Sequence, residues 1–141
     1  MPGMEAARRY TELRRQEART PKVLYAVDAR LTPSSPVADI AELTAVATRA
    51  VRAGDGHVLE TSHVIFPNGA VTLVLILAES HLSIHTWPEE NLIAIDLFSC
   101  GAIDGRLVVS SLVEALELLA VKIREMPRGT GHEREHRPAP A

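Results

Sequence analysis

A glutamate, a serine and a histidine stand together at Glu79, Ser80 and His81, between two apolar runs where a continuous core strand would carry valine or isoleucine. A second histidine, His85, follows on the same stretch, and the chain has one cysteine, Cys100. Polar groups that interrupt a core pattern often mark a functional site. A hydroxyl, two imidazoles and a thiol can support nucleophilic, acid–base or metal chemistry.

Two well-known kinds of site fit this spacing poorly. On a helix, His81 and His85 would place two zinc ligands on one face, but no glutamate follows His81 directly as in the metalloprotease pattern. In a strand, residues four apart are separated by about 13 Å, which is too far to share a metal. Ser80 lacks the flanking glycines of a hydrolase nucleophile elbow. We therefore expect no metal site and no serine hydrolase.

Each of these residues, taken alone, also has an ordinary structural role. Ser80 fits a turn serine, His85 fits a hydrogen-bonded core histidine, and Cys100 fits a small buried hydrophobe. Only their combination favours chemistry.

Hydrophobic periodicity predicts the elements that must position these residues. The predicted strands are 22–29, 57–66, 71–78, 81–87, 91–98 and 120–126, and the predicted helices are 37–53 and 108–119. The order β-α-β-β-β-β-α-β is typical of an α+β sandwich in which two helices cover one face of an antiparallel sheet. The other face stays partly uncovered, so we expect a second copy of the chain to complete a face or an edge.

Composition excludes several classes of protein. The chain has 141 residues, of which 46% are hydrophobic, and a net charge of −3, which gives no general attraction to nucleic acid or to an anionic membrane. The longest strongly apolar run, 71–78, is too short to span a bilayer, and no signal peptide is evident. A single cysteine fits a reducing, cytoplasmic setting.

The two ends of the chain differ from its middle. Residues 1–20 form a charged extension that could at best be a solvated helix, and residues 21–129 form the single predicted domain. Residues 130–141 are polar and rich in His, Arg and Pro, which predicts a disordered tail. Its histidines, His132 and His136, make a poor metal site in so flexible a segment.

The stretch ESHLSIHTWPE (79–89), followed by AIDLFSCG (94–101), closely resembles the prokaryotic S-adenosylmethionine decarboxylase proenzymes, which use a pyruvoyl group made from their own chain. The resemblance is close over 66–101 and weaker from 22 to 129. The spacing from Ser80 to His85 and to Cys100 matches the family pattern. So long a composite motif is highly specific.

The resemblance implies that the chain cuts itself between Glu79 and Ser80. The Ser80 hydroxyl would attack the Glu79 carbonyl to form an ester, and elimination followed by loss of ammonia would leave a pyruvoyl group at residue 80. The family pattern gives His85 a role in processing, together with a hydroxyl eight residues before the cleaved serine. That position is Thr72, where the family usually has a serine.

The resemblance also implies the chemistry of the mature enzyme. The pyruvoyl carbonyl would form a Schiff base with a substrate amine and accept electrons as carbon dioxide leaves, as pyridoxal phosphate does elsewhere. The family's cysteine, here Cys100, would then protonate the carbanion, for which it must be a neutral thiol.

The expected substrate is S-adenosylmethionine. Phe66 stands where the family stacks an aromatic ring on adenine, and Glu89 stands where an acid binds the ribose hydroxyls. The first strand departs from the family, because Lys22 and Ala26 stand near its usual histidine and glutamate, and Asp28 is the strand's one acid. Ornithine and arginine stay open as alternative substrates, since Asp28 or Glu89 could bind a distal amine or guanidinium.

The family implies a homodimer with shared active sites. The pyruvoyl group and Cys100 of one subunit would face His85, Thr72 and Glu89 of the other. A third hypothesis is a chain that is never cut and serves as a binding partner of a true enzyme. The joint presence of Ser80, His85 and Cys100 argues against it.

Overall fold

Six antiparallel strands form one sheet that carries two helices on one face. A computed structural model describes residues 2–9, 11, 21–100 and 102–129. The strands are β1 (Lys22–Arg30), β2 (Val58–Ile65), β3 (Val71–Leu77), β4 (Ser80–Trp87), β5 (Leu92–Cys100) and β6 (Leu119–Arg128), in the spatial order β2-β3-β4-β5-β1-β6. The helices are α1 (Pro2–Arg9), α2 (Ile40–Ala53) and α3 (Gly105–Ala115), and a 3₁₀ turn spans Pro88–Glu90.

The core lies between the sheet and helices α2 and α3. Alternate residues of the central strands point toward the helices, and Leu73, Ile84 and Ile95 are at most 1% exposed. Helix α2 packs on them with a buried apolar stripe that includes Leu43 and Val51. Burying each such side chain contributes about 1.5–3 kcal/mol. The predicted α+β sandwich, with its β-α-β-β-β-β-α-β order, is thereby confirmed.

Both core helices begin directly after an aspartate that caps them, and not at the predicted first residues 37 and 108. The Asp39 carboxylate accepts hydrogen bonds from Ala41 N (2.9 Å) and Glu42 N (3.3 Å), so α2 starts at Ile40 and not at residue 37. Asp104 caps α3 in the same way, and this helix runs over 105–115 and not 108–119. The cap satisfies backbone N–H groups that have no partner in the first turn.

The face of the sheet opposite α2 and α3 is polar at its centre. Ladder partners run across it in a row from Thr72 to His85, then Ala94, then Asp28 and finally Lys122. None of these side chains is fully buried. The two core helices therefore leave this face, called here the open face, in contact with water.

The segments outside 21–129 are only partly described. Helix α1 lies within the predicted charged extension and contacts β2. Residues 12–20 and 130–141, with His132 and His136, lie outside the described residues. Where the chain is described, no helix is long and apolar enough to cross a bilayer.

Gly105 allows α3 to approach β1 closely. A Cβ atom at this position would clash with Cε2 of Tyr25, which is buried beneath the helix start. We expect Gly105→Ala to lower the free energy of unfolding by about 1–3 kcal/mol, since the ring must move within a packed core. Urea denaturation measures this value. Gly3→Ala, where no atom lies within 4 Å of the added Cβ, is the matched control, and equal stability of the two variants would contradict the prediction.

Candidate active site

The bond between residues 79 and 80 lies in a tight turn between the neighbouring strands β3 and β4. Leu77 pairs with Ser80, so the two residues between them make the whole connection from β3 to β4. Turns of this length favour glycine or asparagine where φ is positive. Here Ser80 itself has φ 137°, a conformation that costs a residue with a Cβ about 1–3 kcal/mol. The candidate nucleophile is thus held in a strained backbone.

The carbonyl oxygen of Glu79 accepts two hydrogen bonds from one residue. The backbone N–H of Cys100 donates at 3.2 Å, and its thiol donates at 3.2 Å. Cys100 is the last residue of β5 and is only 5% exposed. It reaches the turn because β5 runs alongside β4, where His81 pairs with Phe98. Two donors on one carbonyl polarise it and can stabilise negative charge on its oxygen.

The side chain of Glu79 points the other way, into the protein, and is 1% exposed. Its Oε1 accepts the backbone N–H of His57 at 2.8 Å, and its Oε2 lies 2.8 Å from His57 Nδ1. The Ala78 N–H also donates to the His57 carbonyl, at 2.9 Å. Both ends of Glu79 are therefore anchored, the carbonyl to β5 and the carboxylate to the residue before β2.

Sequence reasoning missed His57. It stands 22 residues before Glu79 and belongs to no motif there. The signal that could have found it is the pairing of the predicted strands, since Val58 pairs with Leu77 and this places the residues beyond them side by side.

A second cluster lies at the far end of β4. Thr72 and His85 are ladder partners, and Thr72 Oγ1 lies 3.1 Å from His85 Nδ1. Beside them is an open cavity of about 570 Å³. The other residues lining it include Phe66, Trp87, Glu89 and Asn68.

Asn68 was also missed at the sequence level. Its amide Nδ2 donates to Glu89 Oε2 at 3.2 Å, and its Oδ1 accepts the N–H of Ala70 at 3.1 Å. The PNG turn after β2 thus holds the carboxylate that follows β4. The asparagine could have been suspected from its turn context alone, but not its partner.

The structure divides the predicted site residues into two separate clusters. Glu79, Ser80 and Cys100 lie together at one end of β4, and Thr72, His85, Phe66 and Glu89 lie together at the other end. The five residues from Ser80 to His85 span about 16 Å of strand. Side chains at the two ends cannot act on the same bond within one copy of the chain.

Asp28 belongs to neither cluster. It lies on β1, exposed, between the ladder partners Ala94 and Lys122. It lines a shallow pocket of about 190 Å³ with Arg30 and Lys122. A cation bound there would meet two positive side chains. Among the described residues, no group of three or more His, Cys, Asp or Glu is placed to hold a metal ion.

Comparisons with known proteins point to one family. Residues 24–129 match the family model for S-adenosylmethionine decarboxylase. An S-adenosylmethionine decarboxylase proenzyme of Symbiobacterium thermophilum is 38% identical over 106 residues, covering 74% of this chain and 80% of that protein. A Pyrobaculum arsenaticum proenzyme is 34% identical over 102 residues, 71% of this chain and 78% of that protein.

Other similarities are shorter or more distant. S-adenosylmethionine decarboxylase proenzyme 2 of Bacillus anthracis is 41% identical over 76 residues, which is 53% of this chain and 62% of that protein. The chain thus spans less than two thirds of the length of this relative. A crystal structure of adenosylmethionine decarboxylase from Aquifex aeolicus has the same fold, with a TM-score of 0.68 at 22% identity, covering 84% of this chain and 98% of that one.

The strain at Ser80 predicts a difference between two variants that lack the hydroxyl. Ser80→Gly removes the Cβ that disfavours φ 137°, whereas Ser80→Ala keeps it. We expect the glycine variant to be more stable by about 1 kcal/mol, after allowance for the greater freedom of glycine in the unfolded chain. Urea denaturation of both proteins measures the difference. A more stable alanine variant would mean that the backbone at residue 80 is relaxed.

Proposed function

The chain belongs to the S-adenosylmethionine decarboxylase family, and from that premise we propose that it cuts itself at residue 80 and decarboxylates S-adenosylmethionine. The observation that carries the proposal is the Glu79 carbonyl, which is held by two donors of Cys100 directly before the strained Ser80. An ordinary surface turn needs neither feature. The activity is one of polyamine biosynthesis, because that is where the family's product is used.

The first step is an acyl shift within the turn. The Ser80 hydroxyl attacks the carbonyl carbon of Glu79, so that a C–O ester bond forms, the C–N peptide bond breaks, and the nitrogen of residue 80 becomes an amine. Negative charge develops on the Glu79 oxygen during the attack, where the Cys100 N–H and thiol already donate. The strained φ of Ser80 raises the energy of the starting peptide. The acyl shift breaks this peptide bond, so the strain favours the shift.

The second step breaks the ester. A base takes the α-proton of residue 80, the electron pair left behind forms a Cα=Cβ double bond, and the Cβ–O bond breaks to release the Glu79 carboxylate, leaving a dehydroalanine. Water then replaces the nitrogen, ammonia leaves, and residue 80 ends as a keto group. The two products are a chain of residues 1–79 and a chain of residues 80–141 with a pyruvoyl terminus.

The residues around position 80 fit such a group. A pyruvoyl carbonyl bonded to a substrate amine withdraws the electrons that carbon dioxide leaves behind. Cys100 already donates its thiol proton at this turn, from a buried position, so it can return a proton to the substrate carbon. Because the thiol must stay reduced and neutral for this, we place the enzyme in the cytoplasm.

The cavity at the far end of β4 favours a nucleoside substrate over a plain amino acid. Phe66 offers an exposed aromatic face, on which an adenine can stack. Glu89, steadied by Asn68, can accept hydrogen bonds from a ribose diol. Arginine or ornithine would need a carboxylate to bind its distal guanidinium or amine. Asp28 lies outside this cavity and beside Lys122.

We also propose that the active enzyme is a homodimer whose sites are shared. The Ser80–Cys100 cluster and the Thr72–His85 cluster lie about 16 Å apart along β4, although processing and turnover need both sets. A second copy packed on the open face could bring the Ser80–Cys100 cluster of one subunit next to the Thr72–His85 cluster of the other.

Cleavage and substrate are tested together. We expect the purified wild-type protein to show two masses, cut between residues 79 and 80, and to release carbon dioxide from S-adenosylmethionine, with rates on ornithine and arginine at least about a hundredfold lower. Ser80→Ala should show one uncut mass and no release, because the attacking oxygen is gone. Mass spectrometry and capture of labelled carbon dioxide make the two measurements.

Three results would contradict different parts of this proposal. An uncut wild-type chain would remove the enzymatic reading and favour a binding partner of another enzyme. Cleavage of Ser80→Ala at the same bond would exclude Ser80 as nucleophile. Faster release from arginine or ornithine would leave the chemistry intact but reverse the choice of substrate.

Shared sites predict that two inactive variants restore each other. Cys100→Ala alone should lack the proton donor and Glu89→Gln alone should bind substrate poorly. A dimer with one of each subunit has one intact site, so co-expression at equal levels should give about a quarter of wild-type activity. Co-expression of Cys100→Ala with Cys100→Ala carrying a second tag is the control. Activity no higher than the sum of the separate variants would place each site within one chain.

A further inference from the structure

We propose that His57 is a positioning residue for self-cleavage: it holds the Glu79 carboxylate and thereby keeps the Glu79 carbonyl aimed at Cys100. This inference rests on the proposed self-processing and adds a residue to it. The contacts of His57 on which the inference rests are those to the Glu79 carboxylate and to the Ala78 N–H, and not to the attacked carbonyl. Its effect must pass through Glu79.

The carboxylate needs such a partner because of where it lies. The Glu79 side chain is 2% exposed, and an unpartnered carboxylate at that depth is strongly disfavoured. His57 supplies two donors, its backbone N–H to Oε1 and its ring Nδ1 to Oε2, each at 2.8 Å. A carboxylate only accepts hydrogen bonds, so Nδ1 carries the hydrogen in this pair. The His57 ring itself is 44% exposed and therefore joins the buried acid to the surface.

The link from the carboxylate to the reaction is the shortness of the turn. Glu79 is one of two residues that connect β3 to β4, and its neighbour Ala78 is also bonded to His57. If the His57 ring is lost, the Glu79 carboxylate keeps only the backbone N–H of residue 57 as a donor. Its other oxygen must then turn outward to hydrogen-bond with water. Moving it outward rotates the same residue whose carbonyl meets Cys100. Because an attack geometry tolerates only small displacements, the acyl shift slows.

Replacement of the ring separates positioning from bulk. His57→Leu fills similar space but removes the side-chain donor, while His57→Asn keeps an N–H group near the place of Nδ1. Neither change affects the backbone N–H bond to Oε1. His63→Leu is the matched control, since His63 is an exposed histidine on β2.

The experiment follows cleavage of freshly synthesised full-length chains over time, with the uncut and cut forms quantified by mass spectrometry. We expect cleavage of His57→Leu to be slower than wild type by about tenfold, and that of His57→Asn by no more than about threefold. His63→Leu should match the wild type. Thermal unfolding of the same substitutions in the uncut Ser80→Ala background compares their stability.

A second readout identifies the step that is slowed. Hydroxylamine cleaves esters, so it accelerates cutting only where the ester has accumulated. If His57 serves the acyl shift, hydroxylamine should not restore the rate of His57→Leu. Restoration by hydroxylamine would put the defect after ester formation and overturn the assignment.

The remaining outcomes are distinct. Wild-type rates for His57→Leu, in a protein that otherwise cuts itself, would overturn this inference and leave the proposed function standing. Equal slowing of His57→Leu and His57→Asn, with a matching loss of thermal stability, would make His57 a purely structural residue. A wild-type chain that never cuts would remove the proposed function and this inference with it.

Discussion

The structure depends at its centre on how one carbonyl group is held. Glu79 is fixed through its carbonyl to the end of β5 and through its carboxylate to the residue before β2, and the residue after it has φ 137°. A loose turn would let water hydrogen-bond to this carbonyl in many geometries. The contacts of Glu79 instead confine its carbonyl to one geometry. In that geometry, hydrogen-bond donors already lie where negative charge would develop.

The sheet makes this arrangement possible because its central strands supply both rigidity and reach. β4 is flanked by β3 and β5, and its inward residues are packed beneath α2 and α3. The same regularity separates the two ends of β4, since a strand cannot fold back on itself. The proposed site uses both ends, so it would draw on a second copy of the chain, and the open face is the surface that the core helices leave for such a copy.

Local pattern was enough for most of the architecture but not for the ends of its elements. Apolar runs separated by turn residues predicted six strands, and the sheet has six. The four inner strands have a buried face, whereas the edge strands β2 and β6 contain no fully buried residue. Both core helices were misplaced by three residues at their start, since Asp39 and Asp104 set the first turn through side-chain hydrogen bonds and not through hydrophobicity. A capping side chain fixes the residue at which the first turn begins, and hydrophobic spacing alone does not determine that residue.

The sequence by itself determined the candidate residues: Glu79, Ser80 and His81 interrupt an apolar pattern, and the spacing of Ser80, His85 and Cys100 resembles that of the S-adenosylmethionine decarboxylase proenzymes. The tertiary structure alone decided how they are grouped. Cys100 comes to the Glu79 carbonyl through strand pairing, and His57 comes to the Glu79 carboxylate across the β2–β3 hairpin. The pairing of β1 with β5 places Asp28 beside Ala94, away from both clusters. Proximity across a sheet is set by register between distant segments, which no local run of residues encodes.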